Sequence, residues 1–165
     1  MDDNTNGKNV NGEVSPETKD VIISITGTQR HTPEEEDVVE LVTAGQYEVD
    51  GREIKFSYWE SELTGMAGTR TSFAVSPSGV VMSREGTLNS QMVFQEGRKH
   101  FFLYDTPFGA TTMGVNTHRI QSNLGLHGGD IVIDYDIDLD QTVVGRNRFQ
   151  INVRENEREN GIWQI

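Results

Sequence analysis

Ile131-Val132-Ile133-Asp134-Tyr135-Asp136-Ile137-Asp138-Leu139 is the stretch whose reading decides the fold. Its odd-numbered residues are all large and apolar. The residues between them are Val132 and three aspartates. A period of two places alternate side chains on opposite faces of a β-strand, so one face is greasy and the other polar. The aspartate series continues to Asp140 and invites a calcium reading. Carboxylates two apart on a strand stand about 6.6–7 Å from each other. They repel by about 0.6 kcal/mol in water and about 2.4 kcal/mol at an effective dielectric of 20. Ile131 to Leu139 already occupy the inward face, and Leu139 falls where a helix–loop–helix calcium loop needs glycine. The pattern therefore predicts a solvated outer face and no metal site.

The same period extends outward in both directions. Leu41, Thr43, Gly45, Tyr47 and Val49 share one face, and Asp50-Gly51 is a two-residue hairpin signal. The return strand turns Ile54, Phe56 and Tyr58 inward and Trp59 outward. Thr71, Phe73 and Val75 follow on the next inward face, then Met92 and Phe94. Gly45 in mid-strand marks a place of curvature or close approach. Val21 to Thr26 is β-branched and reads as the first strand. Gln29 to Asp37 reads as a loop in which Thr32-Pro33-Glu34-Glu35 offers one helical turn. Val80 to Arg84 is a strand whose facing the residues leave open. Thr112 to Gln121 has two candidate faces, Met113, Val115, Thr117 and Arg119 or Gly114, Asn116, His118 and Ile120; the apolar pair Met113 and Val115 favours the first as inward, which brings Arg119 to the barrel wall or its end. Val144 to Val153 is the last strand. About ten strands spaced by eight to twelve residues, joined as hairpins, imply an antiparallel meander. Closure into a barrel removes its exposed edges; an open sandwich is the alternative.

Between two of these strands stands a corner, Tyr104-Asp105-Thr106-Pro107-Phe108-Gly109. Pro107 has no N–H for a ladder and keeps Thr106 extended, and Gly109 accepts the positive φ of a sharp re-entry. A trans Thr106–Pro107 bond is expected, with Phe108 plugging the bend. Thr106-Pro107-Phe108-Gly109 together with Met113-Gly114-Val115-Asn116-Thr117 resembles the signature of the YwiB-like family of small bacterial proteins. Gly45-Gln46-Tyr47, Ser61 to Thr69, Gln91 to Phe94 and Gly128 to Ile131 fit the same family in order. The similarity runs from about Val21 to Val153. It implies a calycin-like (lipocalin-like) up-and-down β-barrel, and it brings no agreed activity.

The chain has 165 residues, 26 acidic and 14 basic side chains and a formal net charge of −12. One domain is expected at this length: a polar disordered tail over 1–19, a barrel over 20–155 and a charged tail over 156–165. The acidic surface repels phosphate backbones and anionic lipid, so nucleic-acid and membrane partners are not expected. Cysteine is absent, which excludes disulfides, thiol catalysis and thiolate metal sites. Met1 to Asp20 has no apolar segment of the signal-peptide kind, and no apolar run approaches the roughly 20 residues of a membrane span. A soluble cytoplasmic protein is the expected class.

No nucleophile elbow, phosphate-binding glycine loop or dinucleotide fingerprint appears, so no cofactor is expected. The inward aromatics Tyr47, Phe56, Tyr58, Phe73, Phe94 and Tyr135 either line a ligand cavity or fill the barrel. By the resemblance, Arg119 closes one end of the barrel against a ring or fixes the polar end of a ligand. Three readings follow. The first is a barrel binding a small, largely apolar ligand at those seven residues. The second is a packed barrel acting as a dimer or interaction module, with Trp59 or Trp163 in the contact. The third is a hydrolase or isomerase using His118 at the barrel mouth.

Overall fold

The computed structural model describes residues 17–106 and 108–157. Pro107, most of the expected N-terminal tail and the end of the C-terminal one, Trp163 included, lie outside them. Ten strands follow one another: β1 (Thr18–Thr32), β2 (Glu35–Asp50), β3 (Glu53–Trp59), β4 (Thr69–Ser76), β5 (Gly79–Gly86), β6 (Ser90–Phe94), β7 (Lys99–Thr106), β8 (Gly109–Ser122), β9 (Gly128–Leu139) and β10 (Thr142–Glu155). Apart from one 3-10 turn at Glu62–Thr64, the described residues hold no helix. None is therefore long and apolar enough to cross a membrane.

Every ladder is antiparallel, in the order β6-β5-β4-β3-β2-β1-β10-β9-β8-β7. The sheet is thus a meander whose first and last strands, β1 and β10, pair along ten residues from Val21–Glu155 to Arg30–Arg146. The two sheet edges, β6 and β7, come together without a ladder, so the barrel is nearly closed. Across this seam the 95–98 turn bonds to β8: Gly97 N–H donates to the Thr117 carbonyl (2.9 Å), and Ile120 N–H donates to Glu96 Oε1 (3.0 Å).

The alternation read from β9 is what the barrel uses. Ile131, Ile133 and Tyr135 are buried inside, with Val21, Ile23, Phe56, Phe73, Met82, Phe94 and Val115 around them. Gly45 is required by close approach: a Cβ there would sit on the Ile23 side chain and on the backbone carbonyl oxygen of Ser57.

Three local expectations are corrected. The Gln29–Asp37 loop is instead the end of a long hairpin. Arg30 and Glu36 face each other in register and form an ion pair at 2.5 Å; the register shifts at His31, and the hairpin turns after Thr32, which pairs with Glu35. Phe108 does not plug the corner; its ring is 100% exposed. The outer face of β9 is not solvated throughout, because Asp136 (8%) and Asp138 (9%) are buried beneath side chains of β7, β8 and β10. Lys99 on β7 pairs with Asp138 across Gly114, where any side chain would occupy the path. Arg148 on β10 grips Asp134 with two bonds, 2.6 and 3.3 Å, which raises the guanidinium pKa further.

Candidate functional site

Because the strands alternate in direction, the turns after β2, β4, β6 and β8 gather at one end of the barrel and the others at the opposite end. The first end is closed. Segment 123–127 folds over it, Leu124 packs on the core, and the Gly125 carbonyl accepts the Tyr47 hydroxyl at 2.5 Å. A wholly buried phenol needs such a partner.

The other end opens into a cavity of about 700 Å³. One wall is built by Met82 and Arg84 of β5 with Met92 of β6. The facing wall comes from Phe102 of β7, Met113 of β8 and Ile137 of β9, and Tyr135 and Phe149 lie deeper. Thr64, Met66, Leu88 and Asn89 from two connecting turns form part of the rim, with Asp105 near the end of β7. Beneath the cavity the aromatic rings make a floor. Phe56 stacks on Phe73 at 5.0 Å between centroids, and Phe73 meets Phe149 edge-on at 6.2 Å. Phe94 meets Tyr135 at 4.9 Å and Phe149 at 6.4 Å, both edge-on. These geometries are the ones ring quadrupoles favour.

Of the seven residues singled out by sequence, the structure brings only Tyr135 to the cavity wall. Phe56, Phe73 and Phe94 are packed in the floor, and Tyr47 sits at the closed end. Tyr58 is buried on the wall in a polar group. There Glu60, itself 6% exposed, accepts the Thr71 hydroxyl at Oε1 and the Thr64 hydroxyl at Oε2, each at 2.7 Å. Burial first, and then the neighbouring Glu60, push the Tyr58 phenol well above the tyrosine range, with Arg84 opposing. Burial raises Tyr135 likewise, again opposed by Arg84.

Arg119 is corrected outright. A β-bulge between Thr117 and Arg119 inserts His118 as an extra residue, so Thr117 faces Tyr135 while Arg119 faces Asp134. The alternation skips, Ile120 takes the inward place, and Arg119 is exposed on the outer wall. His118 is not at the mouth either; it stands on the outer face that the alternation gives it. Its ring lies outside, with Nε2 2.7 Å from Asp136 Oδ2 and Arg146 on the far side of that carboxylate at 3.9 Å. Among the described residues no three histidine or acidic side chains are grouped to hold a metal ion.

Arg84 and its polar neighbours escaped the sequence reading because Val80 and Val81 are both apolar and blur the facing of β5. The available signal was the shared parity of Val80, Met82 and Arg84 with a single inward face.

Fold and site together define a nearly closed antiparallel β-barrel, shut at one end and hollow at the other. Residues 23–151 match the model of a domain of unknown function, DUF1934, and the chain belongs to that family. The uncharacterized β-barrel protein YwiB of Bacillus subtilis (strain 168) is 30% identical over 102 residues, which cover 62% of this chain and 70% of that protein. The crystal structure of the ywiB protein from Bacillus subtilis superposes with a TM-score of 0.74 at 22% identity, covering 86% of this chain and 95% of that one. The family resemblance read from the sequence and the ten-stranded barrel are both borne out.

Proposed function

We propose that this barrel binds a small, largely apolar ligand in the cavity at its open end. The observation that carries the reading is the cavity itself. At about 700 Å³ it falls within the roughly 300–1,000 Å³ of sites that enclose drug-sized molecules. Its walls supply what such a ligand needs. Met82, Met92 and Met113 are flexible, polarisable side chains that repack around different shapes. Phe102, Ile137 and Phe149 add apolar area, and the interlocked rings below keep the floor from collapsing into the space.

Native mass spectrometry of freshly purified protein tests this, together with titration by nile red, a neutral dye that brightens in apolar surroundings. The expected results are a co-purified small molecule and saturable binding of one dye per chain. A bare mass with no saturable dye binding would overturn the reading.

A further inference from the structure

We infer that the cavity takes an amphiphile carrying a single carboxylate, and that Arg84 is the residue that grips it; this rests on the reading of the cavity as a ligand site. The argument begins with where this protein keeps its cations. Of the described lysines and arginines, only Lys19 and Arg84 are half-buried; the others are exposed. Lys19 is paired, its Nζ lying 3.2 Å from Glu155. Arg84 has no acidic partner within ion-pair distance among the described residues, and its Nε is buried with no hydrogen bond. In a chain with 26 acidic side chains against 14 basic ones, a partner was readily available. Leaving a guanidinium unpaired inside a barrel is costly.

The acid on the same wall, Glu60, is not within ion-pair distance of it among the described residues. Each Glu60 carboxylate oxygen accepts a threonine hydroxyl instead, and one of those threonines, Thr71, is the register partner of Arg84 on β4. Arg84 therefore lines the cavity beside Tyr135 with no acidic side chain paired to it among the described residues. A planar guanidinium matches a planar carboxylate with two parallel bonds. Asp105 lines the same cavity and its negative charge weighs against a doubly charged head group such as a phosphate monoester. The rest of the lining is apolar enough for a hydrocarbon body, with Met82, Met92, Met113 and Ile137 around it.

The test displaces bound nile red with three molecules of one chain length: dodecanoate, dodecanol and dodecylamine. Dodecanoate is expected to compete at least about tenfold better than dodecanol, the gain of a hydrogen bond to a charged group, and dodecylamine worst. Arg84→Gln should abolish the dodecanoate advantage, so that acid and alcohol then displace the dye equally well. Arg84→Lys, which keeps the charge but loses the fork, should fall between. The ligand-free Arg84→Gln protein should melt no lower than the parent, because an uncompensated charge has been removed. Equal competition by acid and alcohol, an equal loss of both in Arg84→Gln, or an Arg84→Gln protein that unfolds or melts lower would each overturn the inference. Absence of dye binding in the parent would instead defeat the cavity reading on which it stands.

Discussion

Truncating Phe73 to alanine removes the ring that joins the two halves of the cavity floor. Phe73 is 2% exposed, stacked on Phe56 and edge-on to Phe149. Its strand is laddered on both sides, to β3 and β5, so the backbone cannot settle into the space left behind. Buried Phe→Ala changes cost about 3–5 kcal/mol, and the rigid surroundings put the expected loss here at about 4 kcal/mol. Domains of this kind have about 5–15 kcal/mol in all, so the variant stays folded without denaturant. With a urea slope of about 2 kcal/mol/M, the midpoint followed by far-ultraviolet circular dichroism falls by about 2 M. Phe73→Leu, which refills much of the volume, should lose markedly less. A midpoint shift below about 0.5 M for Phe73→Ala, equivalent to about 1 kcal/mol, would refute the claim that these rings are a close-packed floor.

Other perturbations test other parts of the barrel. Gly45→Val forces a branched side chain onto Ile23 and a backbone carbonyl, and should lower stability by about 1–3 kcal/mol in the same urea assay. Tyr47→Phe removes the bond to the Gly125 carbonyl, costing about 0.5–1.5 kcal/mol and speeding amide exchange in segment 123–127, as hydrogen-exchange mass spectrometry would read. Tyr47, Tyr58 and Tyr135 all have pKa values raised in the folded state from the ordinary 10.0. The unfolded chain therefore loses these protons first, and the stability they contribute is full below pH 10 and declines as pH rises above it. Thermal melts across the alkaline range should show that decline, and Tyr58→Phe should make it shallower.

Much of the barrel was legible because its walls obey one simple period. The alternation holds in β9 from Ile131 to Tyr135, where inward and outward residues differ in polarity, and the hairpin marked by Asp50-Gly51 is present with its turn one residue on, at Gly51-Arg52. What failed was whatever depends on counting past an irregularity. His118 is an extra residue in β8, and one extra residue sends every later side chain to the opposite face; nothing in Thr117-His118-Arg119 announces it. Phe108 is exposed although a large ring in a corner invites burial. The buried state of Asp136 and Asp138 depends on Lys99, His118 and Arg146, which come from other strands and cannot be placed beside them by spacing alone. Arg84 was hidden by two consecutive valines, so the most informative residue of the cavity lay in a strand with two readable faces.

The up-and-down connectivity has a consequence for how such a barrel diversifies. Part of the rim of the open end is built by the connections after β3 and β5, which join separate pairs of strands. Lengthening or rewriting one of them leaves the ladders below in register, because no rim segment threads through another. The wall and the shape of the opening are thus encoded in different stretches of chain, and the opening can be rewritten without altering how the wall folds.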